Sequence, residues 1–320
     1  MTLESLNAYL ENERSKKSGG YPSGMHYKVT EKTVGVFELC VENASKNGDV
    51  WQVADAWGFA VFDEIREKLN GSLGLRFAMP VPSDKNMPKY EALKRRLSYL
   101  AEFNKKIPVA LSIGCREEPL YPISALNKRP DNEVIRQSFK KRDDKDEPGR
   151  LEKDFQVYLF GKGLHKDNKE EIRTNERLAL FGKDFSFIKS RKNVFCVERE
   201  FPTGVFYGEV KKETRILPTE FIDLVTINKY NEVAIIELKF DDAKLEVIAQ
   251  LLNYALFFHS YKAQLTPLLD ARLHCSSKNF HIKAYLVSNV FHQRFDAVWP
   301  YYNRGCIAMR QIVMGYMPDN

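Results

Sequence analysis

The sequence lacks the features that would place it outside ordinary globular proteins. Its apolar runs, such as Ala255 to Phe258, are only a few residues long. A bilayer crossing needs roughly 20, so no membrane partner is expected. The first residues, Met1 to Lys17, carry Glu4, Glu11 and Glu13 and no apolar signal core, so a secretory leader is not expected and the cytoplasm is the expected location. The five cysteines are odd in number, widely spaced and never paired as C-x-x-C. That speaks against a disulfide framework or a zinc ribbon, and the thiols read as buried and reduced. The six histidines form no H-x-x-x-H pair, which speaks against zinc. No G-x-x-x-x-G-K-[ST] loop is present, so ATP hydrolysis by this chain is not expected. Charge of one sign is also scarce. The net charge is +6, spread over the whole chain, which tolerates a polyanion without announcing one. What is there is a chain of 320 residues, 43% hydrophobic and 29% charged. That is enough for two domains.

The boundary falls in a mixed-charge stretch. Between Asn127 and Arg150 lie Pro130, the run Lys140 to Glu147, and Pro148-Gly149, none of which can bury a face. The expected division is an N-terminal mixed α/β domain over 1–127, a charged linker or loop over 128–150, and a second domain over 151–320. In the first part, Val53, Trp57, Val61, Ile65 and Leu69 recur every four residues, predicting a helix from about Gln52. Leu75 to Pro80 and Val109 to Ile113 read as strands, with a helix from Tyr90 to Asn104 between them. That helix carries Lys94, Arg95 and Arg96, with Lys105 and Lys106 at its end. A basic helix can touch phosphates, but a charged helix face is more often simply solvated. Trp51 and Trp57 could stack on bases, although aromatics at helical spacing usually belong to a core.

The second part reads as helix, three strands, helix, strand, helix, strand. The helix is Asn175 to Phe185, and the first strand is Val194 to Phe201. Strands Phe221 to Ile227 and Val233 to Phe240 follow, separated by the turn-forming Asn228 to Asn231. A long helix, Ala243 to Ser260, precedes strand Ile282 to Val287, helix Gln293 to Tyr302 and strand Ile307 to Gly315. An antiparallel meander joined to a crossover unit makes a mixed central sheet flanked by helices.

Charge inside these strands is the informative feature. A charged residue in a central strand is costly unless it is paired or bound to a metal. Asp223 interrupts Phe-Ile-Asp-Leu-Val, and Glu237 and Lys239 interrupt Ala-Ile-Ile-Glu-Leu-Lys-Phe. Alternation puts Glu237 and Lys239 on one face and Leu238 on the other. If the two strands are neighbours, Asp223 meets Glu237 over that face. Two carboxylates sharing a site form a natural cage for a hard divalent cation. A lysine beside them can orient water or neutralise charge developing on a phosphate. On the next helix, Gln250 and Tyr254 share a face at i, i+4.

These residues resemble the PD-(D/E)XK nuclease superfamily in its RecB-like branch. Asp223 matches the first acidic position, Glu237-Leu238-Lys239 the E-x-K, and Gln250 to Tyr254 the Q-x-x-x-Y. The stretch from Glu198-Arg199-Glu200 to Tyr254 is similar to the catalytic domain of NucS/EndoMS-type endonucleases. Two features depart from that pattern. About 14 residues, Phe206 to Thr219, stand where those enzymes have a short turn. In addition, the first 150 residues contain helices, where those relatives carry a small β-sandwich. The resemblance implies a restriction-endonuclease-like core and a DNA endonuclease dependent on Mg²⁺, with Mn²⁺ substituting. Asp223, Glu237, the carbonyl of Leu238 and Glu176 would be the metal ligands, with Glu200 in reserve for Glu176. Lys239 would place the attacking water, and Gln250 and Tyr254 would steady the site. DNA is the implied partner, alongside a second copy or a specificity partner. Restriction or antiviral defence is preferred over DNA repair, because the first half matches no repair nuclease. The rival is a non-catalytic nucleic-acid-binding protein on the same scaffold.

Overall fold

A computed structural model describes residues 2–16, 20–43, 50–126, 132–138, 151–160, 175–186, 197–228, 230–273 and 279–315. The charged run Lys140 to Glu147 lies outside the described residues. In chain order the elements begin with α1 (Leu3–Ser15), β1 (Met25–Thr33), β2 (Val36–Asn43), α2 (Val50–Arg66) and β3 (Ser72–Met79). There follow α3 (Met87–Phe103), β4 (Val109–Ile113), β5 (Arg116–Glu118), α4 (Ile123–Leu126), β6 (Glu133–Ile135) and α5 (Leu151–Phe160). Then come β7 (Val197–Pro202), β8 (Val205–Tyr207), β9 (Arg215–Leu217), β10 (Phe221–Ile227), β11 (Glu232–Lys239) and α6 (Val247–Ser260). The chain closes with α7 (Lys262–Leu273), β12 (His281–Ser288), α8 (Phe295–Tyr302) and β13 (Ala308–Val313). No helix among the described residues is long and apolar enough to cross a membrane.

The chain forms two compact units. The first comprises Met1–Lys128, Lys244–Asn253 and His292–Gly305, and the second Arg129–Ala243, Tyr254–Phe291 and Cys306–Asn320. The first unit is built on a sheet of order β1-β2-β3-β4-β5. Strands β2, β3 and β4 run parallel, as strands joined through crossover helices must. Alternation is plain in β1, where Met25, Tyr27 and Val29 are buried and Lys28 is exposed. Helix α2 buries Trp51 and Trp57 in the core of this unit, so neither ring is available to stack on a base. Two cations of α3 are likewise engaged within the protein. Arg96 is fully buried against Asp55, and Lys94 pairs with Glu118 at 2.8 Å. The expectation of buried thiols fails at Cys115 and Cys306, both exposed, and Cys196 and Cys275 lie outside the described residues.

The second unit holds a sheet of order β13-β12-β11-β10-β7. Strands β7, β10 and β11 form an antiparallel meander, and β12 and β13 continue it in parallel. The mixed sheet read from the sequence is therefore present. One face of it packs Leu224, Ile236, Leu238 and Val287 against Leu159 of α5 and against Leu178, Phe181 and Phe185. The last three residues were expected on a helix from Asn175 to Phe185. They lie instead on two 3₁₀ segments, Glu176–Phe181 and Lys183–Ser186. Gly182 separates these at φ +130°, a conformation closed to an α-helix. The 14 residues beyond the expected pattern supply most of β8 and β9, which with β6 make a separate three-stranded sheet.

Candidate metal centre

The register of β10 against β11 decides which carboxylates meet. Leu224 pairs with Ile236, so one step further along the antiparallel ladder Asp223 comes opposite Glu237. Both strands are apolar around these positions: Ile222, Leu224, Ile236 and Leu238 are fully buried. Glu237 is only 1% exposed, while Asp223 and Lys239 keep partial exposure.

The lysine ammonium is the internal counter-charge. Lys239 Nζ lies 2.8 Å from Glu237 Oε1 and donates to the carbonyl oxygen of Leu238 at 3.0 Å. It is also 3.6 Å from Glu152 Oε1. One cation thus faces several acids, and the acids are not fully served. Glu237 Oε2 is buried without a donor among the described residues, so a proton shared with the Asp223 carboxyl or a cation would be needed to satisfy it. Asp223 Oδ2 accepts from the backbone N–H of Leu238 at 2.8 Å.

The electrostatics follow from that imbalance. Burial, and then the charge of Asp223, push the Glu237 carboxyl well above the usual carboxylate range. Burial also raises Asp223, against the opposing charge of Lys239 and the N–H of Leu238. For Lys239, burial favours the neutral amine, but the charges of Glu237 and Asp223 outweigh it and hold the ammonium above its ordinary range.

Helix α5 brings two side chains that sequence reasoning did not single out. Glu152 and Gln156 are one turn apart and so share a helix face. Glu152 approaches Lys239 as above, and Gln156 Nε2 donates to the backbone oxygen of Asp223 at 2.9 Å. A signal for this helix was available, because Leu151, Phe155 and Leu159 recur every four residues. Glu176, expected as the helix carboxylate of the site, is an exposed residue opening a 3₁₀ segment. Glu200 stands across the sheet from Asp223, between the pairs Ile222–Phe201 and Leu224–Arg199. Its φ of +48° is in the left-handed region that few side chains adopt. Tyr254 is buried, and its hydroxyl donates to the backbone oxygen of Phe221 at 3.3 Å, steadying the strand that carries Asp223. Gln250 lies one turn earlier, on the part of α6 that belongs to the first unit.

The donor set suits a hard cation in part. Asp223, Glu237 and the Leu238 carbonyl offer only oxygen, and the unserved Oε2 is the kind of atom a cation would satisfy. No group of three or more His, Cys, Asp or Glu side chains is gathered for a metal among the described residues. Mg²⁺ does not require one, since it is commonly held by one or two carboxylates and completed by water. No family model matches the chain, and no curated protein matches it either.

Proposed function

We propose that the chain is a Mg²⁺-dependent deoxyribonuclease of the PD-(D/E)XK type, hydrolysing phosphodiester bonds in DNA. The observation that carries this reading is the buried Asp223–Glu237–Lys239 cluster, with its excess of carboxylate over ammonium and its unserved Glu237 Oε2. Asp223, Glu237 and the Leu238 carbonyl would hold the ion, with water completing the set, and Glu152 on α5, 3.6 Å from Lys239 Nζ, adds negative charge beside it. When bound, Mg²⁺ would polarise the phosphoryl group and lower the pKa of water.

The chain's own residues divide the remaining work. Lys239 stays protonated near neutral pH, because its neighbours hold its pKa up. It would act as a positive charge that orients water and offsets charge building on the phosphate. Tyr254 keeps the end of β10 in register through its bond to Phe221. A second reading, a non-catalytic nucleic-acid-binding protein, draws on one observation: no three-ligand metal group is formed among the described residues.

Cleavage of covalently closed circular DNA in Mg²⁺ and in Mn²⁺, with Lys239→Ala in parallel, separates the two. Metal-dependent nicking lost in the variant supports the nuclease. Intact circles with the wild-type protein, alongside retained DNA binding, would favour the second reading.

A further inference from the structure

Gln156 is a neutral amide set among acids. It is 7% exposed, and a buried amide left without partners costs about 1–3 kcal/mol. Its partners both belong to one residue. Nε2 donates to the backbone oxygen of Asp223 at 2.9 Å and reaches Asp223 Oδ1 at 3.4 Å. The other carboxylate oxygen, Oδ2, accepts from the N–H of Leu238 at 2.8 Å. Asp223 is therefore gripped at both carboxylate oxygens and at its main chain, by donors on two different elements. Glu237 differs, because its Oε2 has no N–H donor among the described residues.

A carboxylate oxygen has two lone pairs, so one donor per oxygen leaves one pair on each for a cation. The donors also choose the rotamer, and with it the direction of the remaining pairs. We propose that Gln156 is the positioning residue of the cation site: it fixes Asp223 so that its open lone pairs converge with Glu237 on a single divalent ion. This rests on the reading of the cluster as a metal centre. The side chain suits the task in length and charge. A glutamate there would be unable to donate and would crowd a fourth acid beside Glu152, Asp223 and Glu237. A methionine would fill the space and release Asp223.

The test is Mn²⁺ affinity of the full 320-residue chain, by calorimetry, for wild type, Gln156→Met, Gln156→Asn and Asp223→Asn. Outer partners of metal ligands typically alter affinity by about 10–100-fold. Gln156→Met is expected to weaken Mn²⁺ binding by roughly tenfold in protein that still folds. Asp223→Asn is expected to weaken it further. Gln156→Asn keeps the amide but retracts it by one methylene, and is expected to fall between wild type and Gln156→Met. Wild-type affinity in folded Gln156→Met overturns the positioning role while leaving the metal centre standing if Asp223→Asn still loses the ion. If Gln156→Met does not fold, wild-type affinity in Gln156→Asn overturns the role in the same way. Absence of Mn²⁺ binding by the wild type, or equal binding by Asp223→Asn, sinks the metal centre and the proposal together.

Discussion

Asp55 with Arg96 in the first unit and Glu237 with Lys239 in the second are both ion pairs made by a buried carboxylate, at 2.7 and 2.8 Å. Their surroundings differ. Both oxygens of Asp55 are served, by Arg96 at 2.7 and 2.8 Å and by Tyr302 at 2.6 Å. Arg96 Nη1 donates to Asn253 Oδ1, and Nη2 donates to the Trp51 carbonyl as well as to Asp55. Charge balances one to one, and each oxygen of Asp55 and each guanidinium nitrogen of Arg96 has a partner. Around Glu237 the count among the described residues is uneven, with Asp223 and Glu152 also close to the Lys239 ammonium, and one oxygen is left without an N–H donor. A closed network of the first kind fixes a fold. An open one of the second kind is a standing cost, which a fold keeps where a ligand offsets it.

The largest effect should come from breaking the closed network. Arg96→Met leaves Asp55 charged and fully buried, and a loss of about 3–5 kcal/mol is expected, read by urea denaturation. A loss below about 1 kcal/mol would mean that water reaches Asp55 and that the pair resembles a surface one.

Removing the cation of the open network should act in a different direction. Lys239 Nζ engages Glu237 Oε1 and the Leu238 carbonyl, two groups proposed to hold the metal. Two unit charges about 4 Å apart repel by roughly 4 kcal/mol at the effective dielectric near a protein surface. Even a fraction of that matters, so Lys239→Met is expected to bind Mn²⁺ about tenfold more tightly while losing cleavage. Weaker binding in the variant would show that the lysine assists the ion in place of competing with it.

The two regions also differed in how far the sequence disclosed them. Strand β10 was legible to the residue, because a fully apolar run holding one acid has few alternatives. The Asp223, Glu237 and Lys239 cluster followed from strand alternation and a short connection. The closed network did not, since Asp55, Arg96 and Tyr302 are far apart in sequence and nothing local marks them as partners. Its arginine read as one of a helix's surface cations. Strand β1 alternates clearly through Met25, Tyr27 and Val29, a signal that went unused. At the site the gap was α5: its apolar repeat follows directly on the charged stretch, and the expected helix, Asn175 to Phe185, fell on a different segment. Asn175 does cap that segment, accepting from the N–H of Arg177, but what it starts is a 3₁₀ turn that ends at Gly182.

The most direct measurement is the melting temperature of wild type and Glu237→Gln, each with and without Mn²⁺. If the open network is an unpaid cost that a divalent ion settles, metal-free Glu237→Gln should melt higher than metal-free wild type, by about 1 kcal/mol in stability. Mn²⁺ should then raise the wild type and leave the variant unmoved. A variant that melts lower than wild type, or one that Mn²⁺ stabilises equally, would contradict the account.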